Sequence, residues 1–150
     1  MDLPDEVLQD PTWERSGHTE RGRDGERVPV PWEGTEPPFG FGSSELSWLP
    51  MPSYWSSLTV EAQLDDPDST LSLYRTALRM RRALPELQGS AFDWQQAPAG
   101  CLAYRRGPNL VVALNATDDA VELPPGEVLL ASARVEGDKL PANTAVWLRI

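Results

Sequence analysis

The sequence predicts an α+β chain: a long irregular N-terminal stretch, one amphipathic helix, and a series of short strands forming an antiparallel β-sandwich. Three observations predict it. Eight of the 15 prolines lie in the first 52 residues, together with Gly34, Gly40 and Gly42, where fixed φ angles and missing donors oppose both helix and sheet. A helical period of apolar residues occupies only the stretch from Asp68 to Leu84. After residue 88 the period changes to two, and turn residues recur at about 8–12-residue spacing, as in small sandwiches.

The irregular zone, residues 1–67, is not a typical linker. It holds Trp13, Trp32, Trp48 and Trp55, four of the six tryptophans, whereas disordered segments are poor in aromatics. These rings need a surface to bury against, and the zone contains no helix or strand large enough to supply one. The helix from Asp68 to Leu84 has Asp68 or Ser69 available as N-cap and Arg75, Arg79, Arg81 and Arg82 toward its C-terminal half, where cations suit the dipole. Leu71, Tyr74 and Leu78 fall on one face at helical spacing, with Ala77 and Leu84 beside them, and Pro85 stops it. The expected strands are Cys101–Arg106, Leu110–Leu114, Ala120–Leu123, Val128–Ala133 and Ala145–Ile150. Phe92 and Trp94, alternating around Asp93, suggest the start of an earlier one.

Composition narrows the function classes. A net charge of −10 gives no basic footprint for nucleic acid. The charge is uneven: residues 1–50 carry eleven acids against four bases, and residues 88–150 seven against five. No apolar run approaches the roughly 18 residues of a membrane span, and the first residues lack the basic and apolar regions of a secretory signal. With one cysteine, Cys101, no internal disulfide or cysteine zinc cage is available; the expected setting is cytoplasmic and the thiol buried and structural. His18, the only histidine, rules out two-histidine metal sites and reads as an exposed loop residue. No glycine-rich phosphate loop follows a strand, and no metal ligand set or cofactor is expected. Carboxylates are plentiful, yet no two are marked as an acid–nucleophile pair on rigid strand ends, so no catalytic residue is assigned.

The segment 21–32, Arg-Gly-Arg-Asp-Gly-Glu-Arg-Val-Pro-Val-Pro-Trp, stands apart. An arginine held among glycines and prolines aims a fixed fork of donors at hydroxyls or a carboxylate, and tryptophan faces suit sugar rings. Pairing of Arg23 and Arg27 with local acids such as Asp24 and Glu26 is an equal alternative on the residues alone.

That segment, preceded by Gln9-Asp10-Pro11-Thr12-Trp13-Glu14-Arg15-Ser16, resembles the α-glucosidases of glycoside hydrolase family 13, a group that includes oligo-1,6-glucosidases. The resemblance runs on in order through Gly40-Phe41-Gly42, Trp48-Leu49-Pro50, Val60-Glu61-Ala62-Gln63 and Ser69–Arg75. It reaches Leu110–Asn115 and Gly126–Ser132 in the β region.

The resemblance implies an irregular loop and the last helix of a (β/α)8 barrel, residues 1–84, followed by a C-terminal antiparallel β-sandwich, residues 85–150. It places Arg23 at the C-terminal face of the barrel, where active sites lie, holding the non-reducing-end glucose of the substrate. The family's nucleophile, acid/base and transition-state carboxylates all lie upstream of the matched stretch, as do its aspartate partner for this arginine and its usual calcium loop. The chain is therefore expected to be the C-terminal part of an α-glucosidase, inactive alone. Its α-glucoside or oligosaccharide substrate would bind only in a complete barrel, with the N-terminal barrel portion as partner. The alternative is a stand-alone β-sandwich that binds carbohydrate or serves a structural accessory role; no exposed aromatic platform is obvious there, since Trp94, Tyr104 and Trp147 fit core positions equally well.

Overall fold

The computed structural model of the chain describes residues 3–44 and 46–150, in two compact units, Met1–Leu71 and Ser72–Ile150. The first is irregular, as its prolines and glycines dictate. Its regular pieces are short: α1 (Pro11–Arg15), α2 (Val60–Leu64) and 3-10 turns at Asp5–Val7, Asp24–Glu26 and Ser53–Leu58. Asp10 and Thr59 cap the two helices, accepting from the N–H groups of Thr12 (2.9 Å) and Ala62 (3.1 Å). Leu3, Phe39, Leu49 and Met51 are its buried apolar residues. The Phe39 carbonyl takes the N–H groups of Trp32 and Glu33, and those of Val60 and Glu61 return to the carbonyls of Pro31 and Trp32. Backbone hydrogen bonds supplement this small apolar core, and the aromatics are incompletely covered: Trp32, Phe41, Trp48 and Tyr54 are each at least half exposed.

Helix α3 (Thr70–Ala83) starts and ends within two residues of the sequence reading. The Gln63 side chain accepts the N–H of Leu71 in its first turn, and Leu84 turns to extended backbone before Pro85. No residue of α3 is buried. Tyr74 and Leu78 are 64% and 49% exposed, while Leu73 and Ala77 meet Leu130, Ala145 and Trp147 around a cavity of about 170 Å³. The helix carries adjacent apolar stripes; Tyr74, though largely exposed, lines the same cavity, and Leu78 does not. Periodicity identifies a helix but does not choose between adjacent stripes.

The strands are β1 (Asp93–Trp94), β2 (Cys101–Arg106), β3 (Leu110–Asn115), β4 (Val121–Glu122), β5 (Glu127–Ala131), β6 (Lys139–Leu140) and β7 (Thr144–Arg149). Five of them form an antiparallel sheet in the order β1-β2-β3-β7-β5, and β4 and β6 pair as a two-stranded ribbon. The hairpin between β2 and β3 turns at Gly107, whose φ of 57° suits glycine. Alternation divides the sheet faces. Ala103, Val111, Ala113, Val146 and Leu148 point to one side and form the core with Leu140 of the ribbon. Register places Trp94, Tyr104, Val112, Trp147 and Leu130 in a row across the other face.

Asn115, fully buried, joins the layers. Its Nδ2 donates to the carbonyls of Asp119 (2.8 Å), Leu140 (3.2 Å) and Pro141 (2.9 Å), and its Oδ1 accepts from Thr117 N (3.0 Å) and Thr117 Oγ1 (2.7 Å). Cys101, opposite Asn115 at one end of the β2–β3 ladder, is half-buried rather than buried. Among the described residues no helix is long and apolar enough to cross a membrane.

Candidate functional site

The site is built on three consecutive features of segment 22–27. Gly22 has φ 68°, and a Cβ there would lie 2.5 Å from the Asp10 side chain; only glycine lets the two strands of chain approach this closely. Arg23 follows on non-helical backbone, and Asp24–Glu26 close as a 3-10 turn.

Two buried carboxylates hold this backbone. Asp24, 1% exposed, accepts the N–H groups of Gln9 (2.6 Å) and Asp10 (2.7 Å) on Oδ2. Asp10 accepts Thr12 N on Oδ1 and, at 3.1 Å, the N–H of Arg23 on Oδ2. The Arg27 Nη1 lies between them, 3.0 Å from Asp10 Oδ2 and 3.2 Å from Asp24 Oδ1. The N–H groups of Thr12 and Arg23 stabilise the ionised Asp10 carboxylate, helped by the Thr12 hydroxyl and, less, by Arg27; they hold its pKa well below the usual carboxylate range against the opposing effect of burial.

The arginines of the segment thus take different parts. Arg27 pairs with local acid, as one reading of the sequence allowed, although its partners are Asp24 and Asp10 rather than Glu26. Arg21 bonds Asp5 and the Leu3 carbonyl and sits 5.9 Å from the Trp13 ring centroid. Arg23 is exposed, and among the described residues its guanidinium has no hydrogen-bond or ion-pair partner. With Leu3, Leu8, Arg21, Gly22, Gly25 and Glu26 it lines an open cleft of about 280 Å³. His18 stacks on Trp13 at 4.8 Å and lies 3.3 Å from Glu14 Oε2, an exposed local packing partner well removed in role from the cleft.

Sequence reasoning selected Arg23 but missed Asp10 and Asp24 as its anchors. For Asp10 a signal existed: an Asp immediately before a Pro at the first helical position is an N-cap signature. For Asp24 none did, since its two main partners lie 15 and 14 residues away.

The chain belongs to the alpha-amylase family: the model of the alpha amylase catalytic domain matches residues 4–89. Among its relatives, a probable alpha-glucosidase of Rhizobium meliloti (strain 1021) is 36% identical over 128 residues, covering 82% of this chain and 23% of that protein. The oligo-1,6-glucosidase IMA5 of Saccharomyces cerevisiae is 34% identical over 61 residues, 40% of this chain and 10% of that protein. Among solved structures, the alpha-glucosyl transfer enzyme XgtA superposes with a TM-score of 0.72 at 28% identity, covering 99% of this chain and 30% of that structure. The chain therefore spans about a quarter of the length of the first of these relatives, and the match runs through both of its units.

Proposed function

We propose that the chain is the C-terminal part of an α-glucosidase, whose whole form hydrolyses terminal α-glucosidic bonds of malto- or isomalto-oligosaccharides, or of related disaccharides, with retention. In this reading residues 1–84 are the last loop and helix of the barrel and residues 85–150 the appended β-sandwich. Arg23 contacts the glucosyl unit. One observation supports that role above the others: the Arg23 peptide is pinned by Asp10 while its guanidinium is left uncommitted at a cleft. A fork of donors held this way meets sugar hydroxyls without first breaking an ion pair.

Retaining chemistry needs two carboxyl groups about 5–5.5 Å apart on either side of the bond. In the family resemblance both lie upstream of the matched stretch, so the chain alone is expected to be inactive. An assay of the purified chain on p-nitrophenyl α-glucoside tests this. No turnover above a mock-purified blank is expected; turnover that follows the chain through repeated purification overturns it.

A second reading has its own support. Trp94 and Phe92 are 66% and 44% exposed, and with Tyr104 they form a cluster with ring centroids 5.0–6.1 Å apart. Exposed aromatic faces of this kind suit sugar rings, so the β-sandwich would act as a carbohydrate-binding accessory. Retention on immobilised maltose, lost in Trp94→Ala, supports it; unretarded elution of the unaltered chain rejects it.

A further inference from the structure

Glu26 stands in the Arg23 cleft with its carboxylate uncommitted. It is exposed, and among the described residues its side chain makes no hydrogen bond or ion pair. Arg27, its neighbour in sequence, is taken by Asp10 and Asp24. The backbone of Glu26 is fixed all the same. Its N–H donates to the Arg23 carbonyl at 3.1 Å, closing the 3-10 turn, and Asp10 holds the Arg23 N–H where that turn starts. Side chains three apart in such a turn lie above one another, and both Arg23 and Glu26 line the cleft of about 280 Å³. They do not pair with each other. The cleft therefore offers a fork of donors and two acceptor oxygens, with Gly22 and Gly25 leaving room beside them and Leu3 and Leu8 as apolar wall. Its volume, near the low end of small-molecule sites of roughly 300–1,000 Å³, suits one sugar unit.

Charge decides what such a cleft accepts. An arginine fork by itself favours carboxylate and phosphate over hydroxyls, because charge-assisted hydrogen bonds are roughly twice as strong as neutral ones. Arg21, also on the cleft, is already answered by Asp5. Glu26 answers Arg23, so the formal charges of Arg21, Asp5, Arg23 and Glu26 cancel. A neutral diol satisfies both free groups: its hydroxyls accept from Arg23 and donate to Glu26. An acidic sugar satisfies Arg23 but meets the Glu26 carboxylate as a like charge. We propose that Glu26 is a specificity-determining residue, which makes the Arg23 cleft select neutral hexosyl units and reject carboxylated or phosphorylated ones. This rests on the reading of Arg23 as the sugar contact and supplies the acceptor that Arg23 lacks.

The test is NMR titration of the isotope-labelled chain with methyl α-glucoside and with methyl α-glucuronide, read at the amides of Gly22, Arg23 and Glu26. Low ionic strength keeps the charges unscreened. Binding strong enough for turnover still needs a complete barrel; the contact expected of the chain alone is weak, in the millimolar range. The glucuronide should bind at least about threefold more weakly than the glucoside. Glu26→Gln keeps the length of the side chain and one acceptor oxygen but removes the charge, and should move the ratio of the two affinities about tenfold toward the glucuronide. Exchange at the Gln9 and Asp10 amides checks that the loop stays closed in the variant. A ratio unchanged in Glu26→Gln overturns the inference, as does a native chain that prefers the glucuronide or responds to neither sugar up to about 50 mM. Arg23→Ala judges the underlying reading separately. It should abolish binding of both sugars; binding that survives it, read at Gly22 and Glu26, counts against Arg23 as the sugar contact whatever Glu26→Gln shows.

Discussion

Replacing Asp24 with Ala should release the loop that presents Arg23. In the native chain one buried oxygen takes the N–H groups of Gln9 and Asp10 at 2.6 and 2.7 Å, and the other takes Arg27 at 3.2 Å. A hydrogen bond to a charged group contributes roughly 1.5–3 kcal/mol, and a buried donor left without an acceptor costs a similar amount. Gln9 is exposed, so water can reach its N–H after the substitution, and Arg27 keeps Asp10. Counting the Asp10 N–H in full and the other two in part gives about 3 kcal/mol for local opening of segments 9–10 and 22–27. At 1.4 kcal/mol per tenfold, that is about a hundredfold faster amide exchange at Gln9 and Asp10. Hydrogen exchange read by NMR at these two amides measures it, with strands β3 and β7 as internal reference. Asp24→Asn retains an acceptor oxygen and should lose only about 1 kcal/mol, mostly the charge assistance. Exchange in Asp24→Ala within about threefold of the native rate at both amides would refute the reasoning, because the carboxylate would then not be what closes this part of the chain.

Gly22→Ala should open the same loop, since its Cβ would meet Asp10 at 2.5 Å on backbone at φ 68°; about 2 kcal/mol or more of lost protection at Arg23 N–H is expected, read by the same exchange experiment. The lowered pKa of Asp10 gives a signed pH dependence. Its folded value lies below the ordinary 3.8, so its stabilisation is fully present above that value and is lost as pH falls from about 4 toward the folded value. Acid titration of the native chain followed by Trp13 fluorescence should therefore show an opening below pH 4 that is absent as a transition in Asp10→Asn, where the loop is already loosened at neutral pH. Asn115→Leu leaves the carbonyls of Leu140 and Pro141 without their shared donor and the Thr117 N–H without its acceptor, while the Thr117 hydroxyl keeps the Asp119 carbonyl; thermal unfolding should show a loss of about 3 kcal/mol in the second unit.

Much of this chain was legible in its residues. Pro85 and the 3.6 period marked α3 to within two residues, because a ring that removes a donor acts locally whatever surrounds it. The strands β2, β3 and β7 were legible for a similar reason: alternating apolar residues bounded by Gly107-Pro108-Asn109 or Asn115–Asp119 leave few other conformations. Arg23 was selected because arginine on glycine- and proline-bound backbone has no helix or strand to lie along. The tertiary structure decided everything that depends on which surfaces meet. It set Leu73 and Ala77 toward the sheet and left Leu78 exposed, placed Trp94 on an open face where a core position had been equally open to it, and left Cys101 half-buried. It also separated three neighbouring arginines into one bound to Asp5 and Leu3, one clamped by Asp10 and Asp24, and one, Arg23, whose guanidinium has no partner among the described residues. Apart from the Asp24–Arg27 pair, three residues apart, those outcomes turn on contacts between residues distant in sequence, whose partners compete on geometry and desolvation. Local pattern fixes what each segment is able to form; only packing determines which of its faces remains open for a ligand or a partner.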